Sequence, residues 1–458
     1  MDSPGNNRMA KFCPQMAKSR QSELAPEAGA MFKSNLLTAA LAILFTANIF
    51  DPLGVLRLKY LAFVLAGLSS FWAIRYFFLT SRELTLGLLL FVVWPVWSLF
   101  YGAVSGGDLS VGLTQTTPFI FAWLLALILP ALDARRPLRA FYFCVLLLAI
   151  VVVVSFVLIV FLPENAISQT IFEYLTSLEG KEGSFGTQSF GGLEVPWIYF
   201  SSTLFLVPAF VYYLLIGKLL RAGALLLALG LTFSKAGLTI ACVFGAVYAV
   251  SRLFNRSDKK ATNGIAREGG KGLDKLLPIV VIAGIPLAVF LFLPTFSDDI
   301  KDSWAGNSVT AQVRIGHFHS VMELFLEHPS YLLVGQGAGV PFYSLGQSEY
   351  VQSFEIDYLN AIRKFGLPWF IGYSAIVFYS ARRLIRTGIR EQRAFGFALI
   401  SGYLAAGTNP ELLSSLFVTL MTLSYFAQRC FPRRTGHQKK PARMLNVMSL
   451  PSIDEAGA

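Results

Sequence analysis

The chain has 458 residues, 55% of them hydrophobic and only 14% charged, with a mean hydropathy of +0.58. That balance excludes a soluble globular protein and marks a polytopic membrane protein. Lys and Arg outnumber Asp and Glu by 38 to 27, yet no basic stripe is interleaved with aromatics, so a nucleic-acid groove is excluded and the excess is assigned to membrane orientation.

Residues 1–34 are polar and lack the apolar core of a cleaved signal peptide, so they read as a disordered cytoplasmic tail. "MFKSNLLTAALAILF", from Met31, has the look of a natural membrane-protein start. Apolar runs of spanning length then occur near 35–50, 60–79, 84–103, 111–131, 139–162, 196–216, 218–233, 236–253, 275–294, 365–381, 392–407 and 411–428. They predict an all-α polytopic membrane protein with about twelve transmembrane helices. Nine fall in 35–294 and three in 365–428, separated by a large, partly helical external loop at 295–364 and followed by a basic cytoplasmic tail at 429–458.

Basic residues set the orientation. With the N-terminus inside, alternate connections collect most of the 38 Lys and Arg, among them Arg75 and Arg82, then Arg135, Arg136 and Arg139, and later Arg382, Arg383 and Arg386. The opposite side receives Arg57, Lys59, Lys181, Lys235, Lys301, Arg314, Arg363 and Lys364. A smaller external segment, 163–195, is acidic and carries the flexible "GKEGSFGTQSFGG". Neither an internal repeat nor a matched pair of broken helices is visible, which weighs against an inverted-repeat transporter.

In "LGLTFSKAGLTIACVFG", residues 229–245, a lysine separates two apolar runs. One helix over 218–252 would be about 52 Å long, too long for a single span, and basic clusters flank both of its ends. The chain is therefore expected to reverse near Ser234 and Lys235, placing Lys235 at an external corner. A snorkelling anchor is the plain alternative to a binding role there.

Residues 307–329, "NSVTAQVRIGHFHSVMELFLEHP", predict an amphipathic helix stopped by Pro329, with Ile315, Phe318, Met322 and Phe325 at helical spacing. Arg314 and His317 share a face, whereas His317 and His319 lie roughly 200 degrees apart and cannot grip one metal ion together. "YLLVGQGAGVPFY" sets three glycines at spacing two with no βαβ context, which predicts a compact turn with close backbone approach and not a dinucleotide site. In "QSFEIDYLNAIRKFGLPWF", Glu355, Asp357 and Tyr358 open a helix that returns to the membrane, where acidic residues suit the helix dipole or act as a general base. No serine elbow, HExxH motif or Walker loop is present. The four cysteines, Cys13, Cys144, Cys242 and Cys430, make no sensible disulfide framework.

Basic side chains and carboxylates at an outer membrane face suit a substrate with a lipid tail, an anionic head and a hydroxyl acceptor. At these residues the sequence resembles the Wzy and WaaL superfamily of O-antigen polymerases and O-antigen ligases. "LTFSKAGLTIACVFG" looks like the family's Leu-Thr-x-Ser-Arg-x-Gly-Leu run. "VRIGHFHSVMELFLEHPSYLLVGQGAG" is similar to its Arg, helix and Pro-x-x-x-x-Gly-x-Gly-x-Gly pattern, and "FEIDYLNAIRKFGLPWF" to the segment that returns the loop to the membrane. The resemblance covers about residues 220–380.

It implies a metal-independent membrane glycosyltransferase of the bacterial inner membrane, without a cofactor, whose donor is a glycan on undecaprenyl diphosphate. Lys235 and Arg314 would bind the diphosphate; on the reading of the residues themselves, Glu355 or Asp357 would act as base, with His317 and Tyr358 in support. A chain-length regulator and a flippase are the implied protein partners, with membrane lipid around the helices. Two departures stand out. Lys235 occupies a place where Arg is usual, and Lys lacks the bidentate fork. Ligases carry a histidine near "FEIDYL", where this chain has Glu355 and Asp357, so a Wzy-type polymerase is favoured over a ligase, with a lipid or solute transporter as the alternative outside the family. Trp369 is read as an interfacial anchor or a sugar contact.

Overall fold

A computed structural model describes residues 28–50, 81–128, 134–162, 165–177, 183–190, 193–232, 234–260, 309–354, 356–387, 389–408 and 412–427. The described chain is mostly helical. In order it forms α1 (Ala28–Phe50), α2 (Ser81–Leu88), a π-turn (Leu89–Val93), α3 (Trp94–Val104), α4 (Leu109–Ile128), α5 (Arg135–Phe161) and α6 (Ala166–Ser177). A hairpin of β1 (Gly183–Phe190) and β2 (Leu193–Phe200) leads through a 3-10 turn to α7 (Leu206–Ile216), α8 (Leu219–Leu231) and α9 (Lys235–Lys260). Then come α10 (Val309–Glu327), the single turn α11 (Tyr331–Val334), β3 (Phe342–Ser344), β4 (Glu349–Val351), α12 (Asp357–Phe365), α13 (Leu367–Arg386), α14 (Arg390–Gly407) and α15 (Ser415–Ala427).

Three stretches, Thr85–Val104, Leu109–Leu127 and Arg135–Phe161, are long and apolar enough to cross a membrane by length and composition. Thr38–Phe50, Ser202–Ile216, Leu219–Leu231, Ala236–Ala249 and Ser415–Ala427 are apolar but shorter. The runs anticipated at 60–79 and 275–294 lie outside the described residues.

The segment read as flexible around 183–195 forms instead an antiparallel hairpin, pairing Gly183 with Phe200 through to Phe190 with Leu193. The helix anticipated from 196 accordingly starts at Leu206. Val195, Trp197, Ile198, Tyr199 and Phe200 favour a pleated strand, and Pro196 is tolerated because each strand of a two-stranded ribbon is an edge.

α7 is buried along its length from Leu206 to Leu214 and packs against α14, α8, α9 and α5. Tyr212 stacks on Tyr142 of α5, at 4.3 Å, and on Phe395 of α14, at 5.0 Å, and these two rings lie 6.0 Å apart, so the three form one near-parallel cluster. At one end of this layer Arg139 grips Glu391 with two hydrogen bonds of 2.6 and 2.7 Å, and the Tyr212 hydroxyl donates to the same carboxylate at 3.2 Å. These contacts tie α5, α7 and α14 together. Cys144 is buried and Cys242 half-buried, both as free thiols.

The π-turn has a structural use. Within it the Trp94 N–H bonds to the Leu89 carbonyl, one residue beyond the α-helical partner, which frees the Leu90 carbonyl. The indole N–H of Trp369 takes that carbonyl at 2.8 Å, while the Trp94 indole donates to the Phe365 carbonyl at 2.6 Å. Two tryptophans thus fasten the α2–α3 helix to the α12–α13 corner. Trp369 is fully buried among Phe119, Phe365 and Tyr373, so it is neither an interfacial anchor nor a sugar contact.

Candidate functional site

Residues 309–365 fold into a cap seated on α3, α4 and α13. α10 runs as anticipated and ends before Pro329, but of the anticipated apolar face only Phe325 is buried, and Met322 stays 39% exposed. His317, Val321 and Phe325 point inward, while Ile315 and Phe318 remain 46% and 45% exposed. Hydrogen bonding decides the choice: the His317 Nδ1 lies 2.7 Å from the Ser344 hydroxyl, and the Ser320 hydroxyl accepts the Leu345 N–H at 2.8 Å. Gly316 abuts the backbone of Gly346, and the His317 ring stacks on Phe354 at 5.1 Å. α10 is therefore pinned to the β3–β4 hairpin by polar groups as well as by apolar packing.

The three spaced glycines form the compact turn that their spacing predicts. Gly337 adopts φ +106°, and its backbone lies directly on Gly102 of α3, so that a methyl group at either position would overlap the opposing backbone. The Ala338 N–H donates to the Ser98 carbonyl at 3.0 Å, the Ser98 hydroxyl to the Lys364 carbonyl at 2.8 Å, and the Gly339 N–H to the Gln115 side chain at 3.0 Å. The turn stitches the cap to α3 and α4 backbone to backbone.

Beneath it lies a buried polar network that sequence reasoning missed. Arg363 donates from Nη1 to Gln336 Oε1 at 2.6 Å and to the Val340 carbonyl at 2.9 Å, and from Nη2 to the Gln352 carbonyl at 2.9 Å and Asn360 Oδ1 at 3.1 Å. Its guanidinium lies 4.4 Å from the Phe342 ring centroid. Every one of these acceptors is neutral. Burial lowers the Arg363 pKa to about 9, so the group keeps its proton at neutral pH. Lys364 is also buried, and burial together with the neighbouring Arg363 pulls its ammonium down to about 7 against the opposing pull of Asp357. One local signal existed, since Asp357, Asn360 and Arg363 or Lys364 fall on one helical face. Such a stripe normally faces solvent; here Arg363 faces the glycine turn and Asp357 faces the Leu412 and Leu413 N–H groups.

Asp357 is enclosed. Its Oδ1 accepts from Asn360 at 3.0 Å, and its Oδ2 accepts the N–H groups of Leu412 and Leu413 at 2.7 and 3.3 Å. Burial raises its carboxyl above the usual range, countered by Lys364 and by these donors. The geometry makes Asp357 a pin between α12 and the segment that leads into α15. Tyr358 donates to the Tyr403 carbonyl at 2.9 Å, and its ring fills the space left by Gly407. Arg314 is half-buried on α10, one turn before His317. Glu355 lies outside the described residues.

The helix breaks where the reversal was placed: α8 ends at Leu231, and α9 opens at Lys235 with the Ser234 hydroxyl accepting the Gly237 N–H at 3.3 Å. α9 packs on α7 and α14. Arg314, His317, Asp357 and Tyr358 are thus brought into one cap, whereas Lys235 belongs to the α8–α9 hairpin. Among the described residues no three of His, Cys, Asp and Glu gather in a metal-binding group. No family model matches this chain, and neither does any curated protein.

Proposed function

We propose that the chain is a polysaccharide polymerase of the bacterial inner membrane, with about twelve spans, both termini in the cytoplasm and its chemistry at the periplasmic face. Its donor is a glycan on undecaprenyl diphosphate, and its acceptor is a sugar hydroxyl of a second lipid-linked repeat unit. In the transfer step the bond from the anomeric carbon to the diphosphate oxygen breaks as the acceptor oxygen attacks. Lys235 and Arg314 hold the diphosphate and stabilise the charge that develops on it. A carboxylate takes the acceptor's proton.

The observation that carries this reading is the division of labour between two carboxylates on one short segment. Asp357 is fully engaged in pinning α12 to Leu412 and Leu413, which leaves the role of base to Glu355, two residues earlier. The cap that bears Arg314 is held rigidly on the helices by the glycine turn, as a preorganised cationic site requires.

Glycan length in cells tests the assignment. At normal protein level, Arg314→Ala and Glu355→Gln should each leave single repeat units in place of long polymer. Unchanged long-chain glycan in both variants sinks it. Accumulation of finished polymer on the lipid carrier would identify a ligase instead.

A further inference from the structure

A second site lies away from the cap. α2, the π-turn, α4, α13 and α15 enclose an apolar cleft of about 400 Å³, walled by Phe91, Trp123, Ile376 and Phe426. It stays open because Gly87, Ala122 and Ala375 stand where larger side chains would close it. The volume lies within the range of about 300–1,000 Å³ of ligand pockets, and a chamber so apolar takes hydrocarbon in preference to water.

One end of the cleft is polar. Glu83 accepts a hydrogen bond from the Tyr425 hydroxyl at 2.7 Å, and Arg383 donates from Nη1 to the Tyr379 hydroxyl at 2.9 Å. The Tyr379 and Tyr425 rings are 6.4 Å apart, so a carboxylate and a guanidinium share one rim. Arg383 is exposed, as are Arg382 and Arg386 beside it on the last turns of α13. An apolar chamber that ends at an exposed guanidinium has the layout of a lipid site, because the guanidinium fork matches a phosphate. The Glu83 carboxylate on the same rim, beside the Tyr425 hydroxyl, gives an amine a partner that a headgroup without one does not use.

We propose that this cleft binds a phosphoethanolamine phospholipid, with one acyl chain in the chamber, its phosphate on Arg383 and its amine toward Glu83. The full-length protein, stripped of lipid in detergent, can be titrated with phosphatidylethanolamine, phosphatidylcholine and phosphatidylglycerol of matched chains, with adducts counted by native mass spectrometry. The ethanolamine lipid should be retained at the lowest concentration. Arg383→Gln, a surface change, should weaken its retention by about tenfold, the loss of one charge-assisted hydrogen bond, without moving the unfolding temperature of the stripped protein. Filling the chamber with Ala375→Phe should abolish the adduct. Equal retention of all three lipids, or wild-type retention in Arg383→Gln, overturns the proposal. So does a cysteine at Ala375 that maleimide cannot reach even in stripped protein, since the chain itself would then cover the cleft.

Discussion

Arg363 and Gln336 clamp one another reciprocally. The guanidinium of Arg363 donates to the Gln336 side-chain oxygen at 2.6 Å, and the Gln336 backbone N–H donates to the Arg363 carbonyl, also at 2.6 Å. A charge on α12 and a turn 27 residues earlier are thereby locked together, with no carboxylate among the hydrogen-bond partners of the guanidinium in the described residues.

This arrangement predicts a steep hierarchy. Gln336→Ala should cost about 1–3 kcal/mol, because a buried donor loses its acceptor. Arg363→Ala should cost more, because four neutral oxygens lose their shared donor, at about 1–3 kcal/mol for each left unsatisfied, and Phe342 loses its partner. Thermal unfolding of the purified protein in detergent checks both, and an Arg363→Ala loss no larger than that of Gln336→Ala would contradict the clamp.

The buried Lys364 predicts a dependence on pH with a definite sign. Its folded pKa is depressed to about 7, below the ordinary value of about 10.4. Between those values the unfolded chain binds a proton that the folded chain lacks, so stability should rise with pH, by at most about 1.4 kcal/mol per unit. Asp357 acts in the opposite sense at lower pH: its raised carboxyl contributes stability below the usual carboxylate range that is lost as pH rises through its folded value. Unfolding temperatures measured from about pH 7 to 8.5, below the value of about 9 at which Arg363 acts in the same sense, should climb in the wild type and climb less in Lys364→Met. A parallel climb in both would remove Lys364 from the explanation.

Trp369 offers a third test. Its indole satisfies the Leu90 carbonyl that the π-turn sets free, so Trp369→Phe should keep most of the aromatic packing yet leave a buried carbonyl unpaired. A loss of about 1–3 kcal/mol in detergent is expected, and insertion into the membrane should continue. Stability equal to wild type would mean that the π-turn stands without this bond.

Much of the helical organisation was legible because hydropathy reports burial directly. The break at Ser234 and Lys235 followed from length and charge, and the close approach at the glycine turn from the spacing of Gly335, Gly337 and Gly339. Residues 196–200 were misread because a ribbon of β-branched and aromatic residues has the same mean hydropathy as a helix. The inward face of α10 was misread for another reason. His317 and Ser320 are buried by partners on β3 and the turn after it, which helical periodicity cannot see. Arg363 failed in the same way, since most of its acceptors are the Val340 and Gln352 carbonyls and the Gln336 side chain, all distant from its own helix. Of the proposed site, charge parity singles out Arg314 and Lys235 as expected external cations, whereas the anchoring role of Asp357 required the backbone of Leu412 and Leu413.

The contact between Gly102 and Gly337 has an evolutionary consequence. Most tight contacts let one partner shrink when the other grows, and so leave a trace of paired change among related sequences. Here both surfaces are main chain, and neither side has an atom to give up. Relatives that keep this junction should therefore show glycine at both positions with no compensating exchanges, a silence in covariation at the place where the cap and the helix touch most closely.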